Sequence, residues 1–181
     1  SETWSALIRL NTFLNDFRLD SISQESFQQI LDGALNYSRK KMAGQFSTPR
    51  ALAELLVGIT VEDRTKPLID PCCGTGTIPR AAYEQKRKVG LSVSEALSSV
   101  WGSDKFTFPL QLSSIALSDP LGIGEVVQIF QRDAFELRPG NVISFTNPTS
   151  GKDEKRKLPL MHAAVSNLPF VRFEDKNVLN P

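Results

Sequence analysis

The stretch from Leu68 to Lys88 constrains this 181-residue chain more than any other. Leu68-Ile69 is a short apolar run, suited to a buried strand. It breaks at once into D-P-C-C-G-T-G-T (70–77), and Ile78 to Lys88 then reads as a helix with Pro79 in its first turn. Glycines at a strand-to-helix junction permit a tight turn and let a ligand approach the backbone beside a helix N-terminus. A G-x-G alone fits NAD, FAD or plain turn chemistry equally well. No G-K-[ST] follows it, which excludes a phosphate-binding P-loop.

The same unit recurs along the chain. S-S-V-W-G-S-D (98–104) reads as a second strand ending at an acid, followed by a helix through Leu110–Leu117 with Pro109 near its start. E-V-V-Q-I-F (125–130) reads as a third strand, ending near Asp133. M-H-A-A-V-S (161–166) reads as a fourth, running into N-L-P-F. Upstream, Thr48-Pro49 has the form of an N-cap followed by Pro at the first helical position, leading into Ala51–Leu56. Residues 147–158, rich in Pro, Ser, Gly and Lys, read as a surface loop. Alternating strands and helices predict an α/β fold, a parallel sheet with helices on both faces. In such a sheet ligands bind beyond the carboxyl ends of the strands. Residues 1–43 read as an N-terminal helical segment ahead of a domain over 44–181. Trp4, Leu7, Ile8, Leu14 and Phe17 fit one helix, Phe27, Ile30, Leu31 and Leu35 a second, with a Ser21/Gln24 capping box between them.

Composition excludes several classes. The chain is 40% hydrophobic and 23% charged, as soluble globular proteins are. No apolar run approaches the roughly 20 residues of a membrane span. The N-terminus lacks the basic-then-apolar pattern of a signal peptide. Cys72 and Cys73 are adjacent and offer no disulfide framework, and with one histidine, His162, a zinc cluster is not expected. The expectation is a cytoplasmic, metal-free protein. A net charge of +1 gives no bulk signature of nucleic-acid binding. The basic clusters at 39–41, 86–88 and 155–157 read as solvated helix ends or loops.

G-Q-F-S-T-P-R (44–50), D-P-C-C-G-T-G-T (70–77) and S-N-L-P-F (166–170) occur in that order. Together they resemble the S-adenosylmethionine-dependent N6-adenine DNA methyltransferases, especially the modification subunits of type I restriction systems. That family's pattern runs G-x-F-x-T-P, D-P-x-C-G-T-G, N-P-P-[FY]. The resemblance spans residues 44–170 and implies a Rossmann-like methyltransferase fold binding S-adenosylmethionine. It implies a base-flipped adenine in DNA as substrate, with specificity and restriction subunits as partners. Phe46, Thr48 and Pro49 would lie beside the methionine part of the cofactor, above a loop of Asp70, Pro71, Cys73, Gly74, Thr75 and Gly76. A side chain at Gly76 would then intrude on cofactor space. Asp104 would accept the ribose hydroxyls. Asp133, Ala134 and Phe135 would hold the adenine, Asp133 by its amino group and Phe135 by packing on the ring. Read by themselves, Asp104 and Asp133 are equally strand-end acids that each cap the next helix.

For the transfer itself the resemblance implies Asn167, Leu168, Pro169 and Phe170. The Asn167 side-chain oxygen and the carbonyl of residue 168 would accept hydrogen bonds from the adenine amino group, and Phe170 would stack on the extruded base. The family has Pro where this chain has Leu168. A carbonyl is what the position must supply, and Pro169 keeps residue 168 extended. N-L-P-[FY] is also similar to the rRNA adenine dimethyltransferases, and D-P-C-C-G-T-G-T-I to RNA guanine-N2 methyltransferases. An RNA base methyltransferase and a non-catalytic cofactor-binding module are therefore the alternatives. The family's remaining strands and target-recognition region have no counterpart after Phe170, so the expectation is an incomplete fold within a longer protein.

Overall fold

The computed structural model describes residues 48–169 and, ahead of them, positions 4, 5, 8, 9, 12 and 26. Those six positions are helical. The rest of the expected N-terminal helix pair, with its Ser21/Gln24 box and the basic cluster at 39–41, lies outside the described residues.

Four strands form the parallel sheet. They are β1 (Leu68–Asp70), β2 (Val100–Asp104), β3 (Gln128–Gln131) and, last in the chain, β6 (Ala163–Ala164), in the spatial order β3-β2-β1-β6. Leu68 faces Val100 on one side and Ala163 on the other, and Trp101 faces Gln128. Among residues 48–169 four α-helices accompany them: α1 (Arg50–Thr60), α2 (Thr77–Lys88), α3 (Val93–Ser99) and α4 (Thr107–Ala116). Successive residues of a strand point to opposite faces, and the two cores sort accordingly. Leu68, Val100 and Ile129 meet Ala53 and Val57 of α1, Ile78, Ala82 and Tyr83 of α2, Leu97 of α3 and Leu110 of α4. Ile69, Trp101 and Phe130 form the second core, covered by Ile143, Phe145 and Leu158.

That covering is a hairpin, β4 (Val142–Thr146) paired antiparallel with β5 (Asp153–Lys157). The surface loop expected at 147–158 is instead the turn and the second arm of this hairpin. D-E-K-R-K has little intrinsic strand preference, and the pairing overrides it. Ile143 and Phe145 alternate inward on β4, while Glu154 on β5 accepts from Arg156 (2.9 Å) and from Asn147 (2.5 Å). Asn147 also closes the turn, its side-chain oxygen accepting from the N–H groups of Thr149 and Ser150.

Other expectations shift in detail. Ser98 and Ser99 end α3 rather than opening β2, and the helix is entered through a complete capping box of Ser92 and Glu95. Pro49, not Thr48, is the N-cap of α1, with no side-chain cap. β3 begins at Gln128, three residues later than expected. Lys86 is not solvated: it is buried, and its ammonium donates to the carbonyls of Arg64 (2.8 Å) and Lys66 (2.5 Å), fixing the turn before β1. Burial lowers its pKa to about 8.

Trp101 sits edge-on to Phe130 (6.3 Å between centroids, 78°) and to Phe145 (5.9 Å, 70°), joining hairpin to sheet. Its indole N–H has no partner, and neither has the buried side-chain oxygen of Gln128 on the paired strand. Trp101→Phe should keep the ring contacts while removing an orphan donor, costing under about 1.5 kcal/mol. Trp101→Ala should cost about 3–5 kcal/mol in denaturant unfolding.

Candidate functional site

The carboxyl ends of the strands converge on one place, around Asp70. Asp70 is 1% exposed. Its Oδ1 accepts the Cys72 N–H (3.1 Å) and the Ser166 hydroxyl (2.7 Å), so the loop after β1 and the segment after β6 meet on one oxygen. Burial raises its pKa from 3.8 to about 7, against the lowering effect of those two hydrogen bonds, and the nearby Asp104 adds repulsion.

The loop lies flat on β2. The Cys73 N–H donates to the Ser103 carbonyl (2.8 Å), and the Ser103 hydroxyl donates to the carbonyl of Pro71 (3.1 Å). Gly102 makes room for this: a Cβ there would come within 2.7 Å of Ile129 and 3.2 Å of Cys73 Sγ. Cys73 is buried, and burial drives its thiol pKa well up, so it serves as packing beneath the loop. Gly74 (φ +52°) and Gly76 (φ +89°) both occupy the left-handed region. Beside Gly74 a Cβ would meet nothing, leaving backbone open to a ligand, whereas at Gly76 it would lie 2.8 Å from the Ser113 Cα. The expected clash between a Gly76 side chain and cofactor is thus first a clash with α4. Gly76 is also the N-cap of α2 and supplies no side-chain cap. That leaves a helix N-terminus able to receive an anionic group.

Asp104, 7% exposed, ties the loop down. Its Oδ2 accepts the Gly74 N–H (3.0 Å) and its Oδ1 the Phe106 N–H (2.9 Å), while burial raises its pKa. Asp133 caps the short turn Ala134–Glu136, accepting the Phe135 N–H (3.0 Å), with Lys105 4.0 Å away. Asp133 therefore does make a capping contact, whereas Asp104 closes a local turn ahead of α4, whose N-cap is Phe106 with no side-chain cap. Phe135 does not behave as a core residue. It is 88% exposed, in the short turn that follows β3.

Asn167 closes the arrangement from the other side. The Val165 N–H donates to the Ile69 carbonyl (2.9 Å), extending β6 past its last paired residue, and Asn167 Nδ2 then donates to Thr48 Oγ1 (3.3 Å). Thr48, Asp70, Gly74, Thr75 and Asn167 line one cavity of about 40 Å³. Leu168 is 55% exposed, so V-S-N-L-P-F is not a buried strand. Phe46 and Phe170 lie outside the described residues. The sequence reading missed Ser166 and Gly102. Only the register of β6 on β1 brings Ser166 to Asp70, and only the crossing of the loop over β2 demands Gly102. Among the described residues no cluster of His, Cys, Asp and Glu is suited to a metal, and no helix is long and apolar enough to cross a membrane.

A parallel sheet in the order 3-2-1-6, a glycine loop after its central strand and acids at the ends of the next two have the layout of a Rossmann-like methyltransferase. Residues 23–180 match the family described as N-6 DNA Methylase, and the chain belongs to that family. It is similar to the Type II methyltransferase M.VspI of Vibrio sp. (strain 343), 26% identical over 79% of this chain. The methylase subunit of the Type I restriction enzyme MjaIX of Methanocaldococcus jannaschii is 26% identical over 59% of it. The chain spans 34% of the length of the first and 18% of the second. A modification subunit assigned to a type I restriction enzyme of Vibrio vulnificus YJ016 superposes with a TM-score of 0.47 and 22% identity, covering 62% of this chain and 25% of that one.

Two outcomes are expected. Gly76→Ala should lose on the order of 1–3 kcal/mol of stability, through strain and contact with α4, and clearly more than Gly74→Ala, where only the backbone angle is unfavourable. Denaturant midpoints of the two variants check this. The Asp70 carboxyl holds a proton in the fold that the unfolded chain releases near pH 4. Its contribution to stability is therefore full below about pH 4 and is lost as pH rises to about 7. Asp70→Asn should flatten that slope and be the more stable protein at pH 8, by on the order of a few kcal/mol, in unfolding curves taken across pH 4 to 8.

Proposed function

We propose that this chain is the S-adenosylmethionine-binding catalytic domain of an enzyme that methylates the N6 amino group of adenine in DNA. Within a longer protein it would act with specificity and restriction subunits or domains in the cytoplasm. One observation carries the reading: Thr48, Asp70, the Gly74 loop and Asn167, from three separate stretches of sequence, line the same cavity.

The chain's own groups fit such a cofactor. The uncapped N-terminus of α2 and the open backbone at Gly74 suit a carboxylate, and Asp70 offers a carboxyl group that an approaching ammonium would help to ionise. Asp104 retains lone pairs for ribose hydroxyls, Asp133 can accept from the adenine amino group, and Phe135 presents a ring face to the adenine. When bound, the cofactor would supply an electrophilic methyl group on sulfonium sulfur for the N6 lone pair. The protein's task is placement. Two acceptors, Asn167 Oδ1 and the Leu168 carbonyl, would take the two N6 hydrogens, turning the lone pair out of conjugation with the ring and toward the methyl group. Pro169 keeps residue 168 extended, so its carbonyl direction is set although Leu replaces Pro. Phe170 would stack on the extruded base.

The full-length protein should transfer label from methyl-labelled cofactor to duplex DNA, and the digest should contain N6-methyladenine. Asn167→Ala should cost on the order of a hundredfold in single-turnover rate. Leu168→Pro should preserve or modestly raise it. Labelling of RNA with none of DNA would move the assignment to an RNA base methyltransferase.

A further inference from the structure

We propose that Thr48 is a positioning residue for Asn167, its hydroxyl anchoring the NH2 arm of the Asn167 amide so that Oδ1 is presented to the incoming amino group. This rests on the function proposed above and assigns a further role within it.

A threonine just ahead of a helix ordinarily caps it. Thr48 does not: the N-cap of α1 is Pro49, and no side chain caps the helix. Its hydroxyl instead accepts a hydrogen bond from Asn167 Nδ2 at 3.3 Å, across 119 positions of sequence. Both residues line the small cavity that Asp70 floors.

The chemistry makes this contact consequential. An asparagine amide carries an acceptor on one arm and a donor on the other, in nearly the same shape. Its last torsion is broad and roughly two-fold, so an unanchored amide visits both orientations. An adenine amino group arrives as a donor and is served only when Oδ1 faces it. With the NH2 arm held by Thr48, Oδ1 is left on the opposite arm of the amide plane. The backbone beneath is already fixed, since Val165 donates to Ile69 (2.9 Å) and Ser166 to Asp70 (2.7 Å). Thr48 is itself held in place. Ala53 and Val57 bury α1 in the first core, Arg50 pairs with Glu84 of α2 (3.0 Å), and Gln85 donates to the Glu54 carbonyl (2.9 Å). Side-chain orientation is the freedom that remains, and the bond to Thr48 restricts it.

The test compares Thr48→Val, which keeps the shape and loses the acceptor, with Thr48→Ser, which keeps the acceptor. Three quantities are measured on the full-length protein: single-turnover methylation of duplex DNA at saturating S-adenosylmethionine, cofactor affinity by calorimetry, and side-chain amide exchange by NMR with 15N-labelled asparagine. The Asn167 amide resonance is assigned by its loss in Asn167→Ala. Thr48→Val should slow transfer roughly two- to tenfold, the worth of one neutral hydrogen bond. Asn167 amide exchange should quicken, Thr48→Ser should recover most of the rate, and any drop in cofactor affinity should be too small to account for the slower transfer at saturation. A wild-type rate in Thr48→Val, unaltered amide exchange, or a loss of cofactor affinity that accounts for the slower rate would each overturn the proposal. Should the unmutated protein methylate no DNA while amide exchange still depends on Thr48, the orienting contact is supported and the functional reading alone falls.

Discussion

Everything at the carboxyl end of this sheet is organised around a carboxylate with almost no access to water. β1 has three residues, all buried, between β2 and β6, and its last residue is Asp70. A charge there is costly unless it is paired or hydrogen-bonded. Two donors from different parts of the chain meet that need in part, and Asp104 on the neighbouring strand adds a second acid. The result is a floor of two buried acids, with no cation among the described contacts of Asp70. Such a site lowers the stability of the empty fold and favours a ligand that brings positive charge, the usual exchange of stability for function.

Close approach is the second constraint. The loop can reach Asp104 and Asp70 together only because it lies directly on β2, and that contact tolerates no Cβ at Gly102. Gly76 does the same between the loop and α4. Of the loop glycines, only Gly74 is turned toward open space. The sequence pattern G-T-G thus joins two different jobs, one leaving backbone open and one closing against a helix.

Much of this was legible in the sequence, and the rest was not for identifiable reasons. The strand at Leu68, the glycine loop, α2 and α4 each announce themselves through local chemistry: an apolar run, positive-φ glycines, Pro in a first helical turn. The strand-end positions of Asp70 and Asp104 follow from that pattern. α3 could have been found from Ser92 and Glu95. The second arm of the hairpin could not, because D-E-K-R-K becomes a strand only through Ile143 and Phe145 packing on Trp101 and Phe130. Lys86 likewise looks solvated until the turn carbonyls of Arg64 and Lys66 are placed beside it. Ser166 and Thr48 acquire their roles through contacts that local periodicity does not encode.

The parallel pairing of β1 with β6 has a consequence for how the chain is made. Ser166 lies 96 positions beyond the Asp70 it bonds to, with β2, β3 and the hairpin all synthesised in between. At typical elongation rates of about 5–20 residues per second, one edge of β1 waits roughly 5–20 seconds for its partner. Pairing of such long sequence separation is slow to form, and an unpaired apolar strand edge is an aggregation hazard while it waits. The strand that delivers Asn167 would therefore be the last piece of the described sheet to arrive on the ribosome, and a nascent chain halted before residue 163 would carry the loop without the site.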